Sequence, residues 1–254
     1  MSKKDLTLNL NEISSANLII IIPARNEELA LSELLPRIIP VITSHVVVVD
    51  NGSSDRTAEV SRRENAVVIH EKRAGYGSAC LAGINYVSFL PKPPKYICFF
   101  DGDGQSLVVD IYRVIEPVIS GKTKYCQGSR MILPNSKSAL LPMARTANRF
   151  FSLVLSLIWK QNITDLGPLR AMTWETLSKL NMKTTGYGWT IEMSAKILKS
   201  GIIHHEVPVQ YKKRRTGKSK ISGNLRTSIR AAFEMSVTLL KVMLLWRSLS
   251  ANQK

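Results

Sequence analysis

Cysteine is scarce. Cys80, Cys98 and Cys126 are the three in 254 residues, far apart, odd in number and without a Cys-x-x-Cys pair. This excludes a disulfide framework and a zinc cage and fits a reducing compartment. Long apolar runs are missing too: residues 150–159 are too short, and residues 231–246 are interrupted by Glu234 and Lys241. Neither reaches the roughly 20 uninterrupted apolar residues of a bilayer-spanning helix, so both read as core or interfacial helices. Residues 1–15 are polar and mixed in charge, without the apolar core of a secretory signal. The expectation is a cytoplasmic protein. Acids are few, 19 against 35 lysines and arginines, and the net charge of +16 calls for anionic partners: nucleic acid, a phosphorylated substrate or an anionic membrane. The four histidines, His45, His70, His204 and His205, lack metal-ligand spacing and read as structural or solvated. Neither a Gly-x-Ser-x-Gly elbow nor a full phosphate-loop consensus is present, which removes serine hydrolases and P-loop NTPases.

What is present is an alternation of strand and helix. Residues 18–23 and 45–50 are continuous β-branched runs ending in polar residues, the pattern of strands covered on both faces of a parallel sheet. Between them, residues 27–42 carry Leu31, Leu34, Leu35 and Ile38 at helical spacing. A helix at 58–63, a strand at 66–70, a helix at 75–89 and a strand at 96–100 continue the series. In the second half the expected elements are helices at 140–160, 173–180 and 190–200, a strand at 202–211 and a long helix at about 224–248. On that last helix Arg226, Arg230, Glu234 and Lys241 lie on one side, opposite Phe233, Val237, Leu240 and Leu244, so it is amphipathic and suited to packing on the domain or lying on a membrane.

In such sheets ligands bind beyond the carboxyl ends of the strands. The residues there include 23–27, 50–55, 71–75 and 101–105. Asp101-Gly102-Asp103-Gly104-Gln105 places two carboxylates one residue apart after an apolar strand, a pair suited to Mg²⁺ or Mn²⁺ shared with substrate phosphates. A turn with solvated acids is the alternative. An EF-hand is a poorer fit, with Ser106 and Tyr112 at its sixth and twelfth positions. Gly75-Tyr76-Gly77 lacks the third glycine of a dinucleotide fingerprint; it either admits a phosphate or ribose near the backbone or serves a tight loop. The run Lys212, Lys213, Arg214, Arg215, Lys218, Lys220, centred on Gly217, suits a mobile loop closing on a diphosphate, or is a solvated basic patch. Gly128-Ser129-Arg130 offers another arginine.

In this order the segments resemble the family 2 glycosyltransferases, over residues 18–245, and especially the polyprenyl-phosphate branch related to dolichyl-phosphate mannose synthase. The resemblance implies an α/β fold of the GT-A type: a Rossmann-like, mostly parallel sheet flanked by helices, with an amphipathic C-terminal helix. It implies an N-terminal extension (1–17), a catalytic domain (18–222, nucleotide-binding half 18–130 and acceptor half 131–222) and a C-terminal helical segment (223–254). Pro23, Ala24, Arg25 and Glu27 would surround the base and ribose, with Asp50 on the base and Gly75 close to the nucleotide. Asp101-Gly102-Asp103 matches the metal motif for Mg²⁺ or Mn²⁺, with Asp103 the stronger ligand and Gln105 a further one; Gly102 and Gly104 depart from the usual Asp-Ala-Asp-Leu-Gln. Arg130, Arg214, Ser219 and Lys220 match residues that bind donor and acceptor phosphates. Asp165 and Glu192 fall in segments that flank the acceptor pocket, where an acid serves as general base for hydroxyl acceptors. Arg145 and Arg149 are candidates to hold an acceptor phosphate, or are snorkelling surface arginines.

The expected reaction is inverting transfer of a hexose from a nucleotide diphosphate sugar, of UDP-glucose or GDP-mannose type, to a polyprenyl phosphate at a membrane surface. A soluble hydroxyl or phosphorylated acceptor is the nearest alternative, then nucleotidyl transfer. Nucleic-acid binding is expected least, for want of stacking platforms or a recognition-helix pattern.

Overall fold

The computed structural model describes residues 17–39, 45–214 and 225–251. The chain alternates through β1 (Leu18–Ala24), α1 (Glu28–Ile38), β2 (Val46–Asp50), α2 (Thr57–Arg63), β3 (Val67–His70), α3 (Tyr76–Ser88), β4 (Tyr96–Phe99), α4 (Val108–Ile119) and β5 (Tyr125–Ser129). It continues with α5 (Pro134–Ala139), α6 (Pro142–Trp159), β6 (Arg170–Thr173), α7 (Trp174–Leu180), α8 (Trp189–Lys199), β7 (His205–Pro208) and α9 (Leu225–Ala251). One seven-stranded sheet, in the order β3-β2-β1-β4-β6-β5-β7, takes five strands from residues 18–130 and two from residues 131–222. All its strands run parallel except β6, which is antiparallel to both β4 and β5.

The unbroken apolar runs of β1 and β2 follow from burial on both faces. Ile20, Ile22, Val46 and Val48 pack with Leu31, Leu35 and Ile38 of α1 and Ile111, Val114 and Ile115 of α4. Their neighbours Ile19, Ile21, Val47 and Val49 point to the other face, against Ala79, Cys80 and Val87 of α3 and Trp189 and Met193 of α8. Each such fully buried side chain contributes roughly 1.5–3 kcal/mol. A third apolar layer joins Phe151 and Leu155 of α6, Ile191 and Leu198 of α8, and Leu239 and Val242 of α9. The three cysteines are buried and unpaired.

The expected strand at 202–211 contracts to β7, followed by an isolated antiparallel bridge between Ser106 and Tyr211. The helix expected at 27–42 ends at Ile38, and residues 40–44 lie outside the described residues. Four elements were not anticipated: α4, β5, α5 and β6. On α9 the stripe of Phe233, Leu240 and Leu244 faces outward, 68%, 57% and 65% exposed, while Ala231, Thr238, Leu239 and Val242 form the buried face. Packing on the domain therefore falls to a stripe of mostly smaller residues, and Arg230 and Lys241, expected opposite the apolar stripe, are exposed alongside it. Among the described residues no helix is long and apolar enough to cross a membrane.

Candidate active site

The first two signature segments form one structure. Asn26, held at φ +51, donates its backbone N–H to Ser53 Oγ at 2.9 Å and accepts from Ser54 N at 2.8 Å. Glu27 N donates to Thr57 Oγ1 at 2.8 Å, and Glu28 N to Asp55 Oδ2 at 3.2 Å. Asp50, at the end of β2, accepts from Ser53 N at 3.0 Å and pairs with His70 Nδ1 at 3.1 Å. The β1–α1 and β2–α2 loops are thus locked side by side beyond the sheet's carboxyl edge. Asn51 ties in the third loop: its Nδ2 donates to the carbonyls of Glu71 and Arg73, and its Oδ1 accepts from Gly75 N at 2.8 Å.

After β4 the chain turns through Gly104, at φ +71, with Asp103 Oδ1 accepting from Gln105 N at 3.0 Å. Tyr76 Oη donates to Asp101 Oδ1 at 3.0 Å. Asp101 and Asp103 keep part of their surface open to a cavity, yet protein surrounds them deeply enough that burial, then the Asp103 charge, pushes Asp101 up to about 7. Burial raises Asp103 as well. Two adjacent carboxylates that resist ionising together are the donor set a divalent cation relieves, and hard oxygen ligands suit Mg²⁺ or Mn²⁺. Among the described residues no three His, Cys, Asp or Glu side chains gather as a metal cluster. A cation held by this pair would need further ligands from other side chains, water or substrate, the usual habit of Mg²⁺ at phosphate sites. Gln105 lines the same cavity, and its Nε2 donates to Lys212 O at 2.9 Å, so Oε1 is the acceptor this side chain can offer.

Cationic groups face this edge. Arg130 binds Asp165 in a fork, Nε to Oδ2 and Nη2 to Oδ1 both at 2.8 Å, and its backbone N donates to the same Oδ2 at 2.8 Å. Burial opposes both charges, but each outweighs it for the other: the Asp165 carboxyl is held below its ordinary value and the Arg130 guanidinium above its own. Arg130 also lies over the Tyr211 ring, 5.1 Å from its centroid. Arg214 Nη2 donates to both carboxylate oxygens of Glu27, bringing the start of the basic run onto the first signature.

A cavity of about 970 Å³ lies here, and its lining is of two kinds. Pro23, Ala24, Arg25, Glu27, Gly75, Asp101, Gly102, Asp103, Gln105, Arg130 and Arg214 come from the strand ends and the start of the basic run. Apolar residues come from Leu140 and Leu141 just ahead of α6, from Met143 and Ala147 on it, and from Ile229, Ala232 and Met235 of α9. Asp50, Asp165 and Glu192 do not line it. Asp165 is fully buried, with both oxygens committed to Arg130. The Glu192 carboxylate is buried and accepts from Lys183 N, Thr184 N and Lys196 Nζ. Both acids that the resemblance offered as general base are therefore buried and held by protein partners. Arg145 and Arg149 are also absent from the cavity lining. Ser219 and Lys220 lie outside the described residues.

Asn51, Tyr76 and Tyr211 were missed by sequence reasoning. Asn51 sits beside Asp50 in a motif already singled out, and Tyr76 lies between the two glycines, so position was their available signal. The glycines themselves serve the fold: a Cβ on Gly75, at φ +144, would stand 2.3 Å from Thr185 O, and one on Gly77 would stand 2.1 Å from Thr184 O. Gly75 nonetheless lines the cavity.

Comparison with known proteins bears on the family and the fold. The model of the family described as "Glycosyl transferase family 2" matches residues 19–176. An uncharacterized protein of Methanocaldococcus jannaschii is 31% identical over 205 residues, 79% of this chain and 84% of its own. The polyprenol monophosphomannose synthase of Mycolicibacterium smegmatis is 27% identical, covering 83% of each chain. Among solved structures, glucosyl-3-phosphoglycerate synthase from Mycobacterium tuberculosis, in complex with Mn²⁺, UDP and phosphoglyceric acid, shares the fold with a TM-score of 0.74 at 16% identity, covering 93% of this chain and 82% of that one.

Proposed function

The chain belongs to glycosyl transferase family 2 and is a glycosyltransferase, and from that premise we propose that it transfers a hexose, with inversion and with a divalent metal, from a nucleotide diphosphate sugar to a polyprenyl phosphate. The observation that carries this reading is the mixed lining of one cavity, which combines carboxylates and arginines with apolar residues of α6 and α9. A nucleoside diphosphate sugar and a phosphate on an apolar chain are ligands that suit such a lining. The similarity to a polyprenol monophosphomannose synthase supports the lipid acceptor.

In this reading Pro23, Ala24, Arg25 and Glu27 receive the base and ribose of a donor of UDP-glucose or GDP-mannose type, and Asp50, which does not line the cavity, supports the adjoining loop through Ser53 N and His70. Asp101, Asp103 and Gln105 would hold Mg²⁺ or Mn²⁺, which when bound neutralises charge on the departing diphosphate. Arg130, fixed by Asp165 and Tyr211, presents a guanidinium that needs no reorganisation as charge develops. Arg214, with Ser219 and Lys220 of the same run, supplies further donors to the phosphates. An acceptor phosphate oxygen attacks the anomeric carbon as the bond from that carbon to the diphosphate oxygen breaks; a sugar phosphodiester forms and the nucleoside diphosphate leaves. A phosphate monoester is already ionised, so no side chain has to remove a proton. This agrees with the carboxylates that line the cavity: Glu27 is paired with Arg214, and Asp101 and Asp103 are assigned to the cation.

The membrane part of the reading rests on continuity. Ile229, 61% exposed, lines the cavity and shares one side of α9 with Phe233, Leu240 and Leu244, while Phe150, Leu153 and Leu157 of α6 are 58%, 56% and 70% exposed. Exposed apolar stripes in a chain of net charge +16 suit peripheral attachment to an anionic cytoplasmic leaflet. The test is flotation with vesicles of phosphatidylglycerol and phosphatidylcholine. Binding that requires the anionic lipid and is lost in Phe233→Ser/Leu240→Ser supports attachment; a protein that stays with the soluble fraction at every composition refutes it.

A further inference from the structure

Glu192 was a candidate base in the sequence, and the structure gives it a different task that leads to the metal edge. Its carboxylate holds residues 183 and 184 by their backbone N–H groups, at 3.0 Å and 2.8 Å, and is itself held by Lys196 Nζ at 2.6 Å. The chain fixed in this way is the surface on which the α3 start rests. Ser78 N donates to Thr185 O at 2.8 Å, and Gly75 and Gly77 approach Thr184 and Thr185 so closely that no Cβ fits at either position. From the opposite side Asn51 Oδ1 accepts from Gly75 N. Tyr76, between the two glycines, therefore has a backbone pinned on two sides. Its ring is steadied edge-on by Trp189, 5.8 Å between centroids, and Trp189 is itself fully buried. At the end of this chain of contacts the phenol meets Asp101 Oδ1 at 3.0 Å, and among the described residues no donor reaches Asp101 Oδ2.

We infer that Tyr76 is a positioning residue for Asp101, its hydroxyl fixing one carboxylate oxygen so that the other remains available to the divalent cation. The inference rests on the metal-dependent reading above. A ligating carboxylate is oriented by the partner of its second oxygen, and loss of such a partner weakens metal affinity by about 10- to 100-fold. Tyr76→Phe removes the donor and keeps the ring against Trp189; Tyr76→Leu removes the donor and the ring but fills much of the space.

The experiment is a titration of each purified protein with Mn²⁺ alone, free Mn²⁺ being read by its electron paramagnetic resonance signal, with thermal unfolding of the metal-free proteins as a control for folding. Expected is a single wild-type site, a Kd about tenfold or more weaker in both variants, and an unchanged melting temperature for Tyr76→Phe. In turnover assays the variants should need more Mn²⁺ for half-maximal rate, with kcat at saturating metal within about threefold of wild type. Wild-type Mn²⁺ affinity in Tyr76→Phe overturns the inference while leaving metal dependence intact. Unchanged Mn²⁺ affinity with a raised donor KM also overturns it, making Tyr76 a donor contact. A wild-type protein that binds no Mn²⁺ removes the metal-dependent reading itself.

Discussion

Replacement of Asp165 by Asn separates an internal anchor from a general base. The wild-type carboxylate is fully buried, its Arg130 partner side chain is 13% exposed, and three hydrogen bonds of 2.8 Å join the two residues. Asn keeps the volume but removes the charge and turns N–H groups toward a guanidinium that can only donate. A buried cation is then left without compensation, a change that costs about 3–5 kcal/mol. At roughly 2–4 °C per kcal/mol for a chain of this size, the melting temperature should fall by about 6–20 °C. Acid unfolding gives a second signature. The Asp165 carboxyl is held below its usual value in the folded protein, so its stabilisation is present above about pH 4 and fades as pH falls through the folded value. The variant should lack that acid-labile component. Differential scanning calorimetry between pH 3 and 8, with turnover measured well below the transition, supplies both readings. An unchanged melting temperature together with abolished turnover would refute the reasoning and return Asp165 to the role of base.

Asp103→Ala should abolish sugar transfer while leaving the metal-free melting temperature unchanged or slightly higher, because burial already disfavours that carboxylate; a large loss of stability in calorimetry would contradict this. Apparent Mn²⁺ affinity, measured by titration, should drop up to tenfold per unit as pH falls below about 7, since a proton then competes for the raised Asp101 carboxyl; a flat profile from pH 5.5 to 8 would contradict it. Gly77→Ala should cost at least about 1–3 kcal/mol in chemical denaturation, because the new methyl meets the backbone carbonyl of Thr184. A neutral result there would show that the 184–185 chain yields easily.

The sheet was legible because its physics is local. Ile19 to Ile22 and Val46 to Val49 are apolar at every position, and only burial on both faces explains such runs. The site loops were legible for a related reason: polar residues immediately after those strands fall at the binding edge. β5 and β6 were not, because Gln127, Ser129 and Arg170 read as loop residues and their strand character comes from pairing across long stretches of chain, Gln127 opposite Arg170. Residue type also failed to reveal role. Asp165 and Glu192 look like candidate bases until their partners are known, and Tyr76 looks like a spacer between glycines until its hydroxyl meets Asp101. The division of α9 into a charged and an apolar side did not hold: Arg230 and Lys241 are exposed together with Phe233 and Leu240, and the packed face is formed by Ala231, Thr238 and Leu239.

Lipid-phosphate-dependent sugar transfer is best tested by nucleoside diphosphate release from a panel of UDP- and GDP-hexoses, with Mn²⁺ or Mg²⁺, in the presence and absence of polyprenyl phosphate. Release from one donor should require both the metal and the lipid, with the sugar recovered on the lipid phosphate; release that proceeds equally well without polyprenyl phosphate would rule out the lipid acceptor.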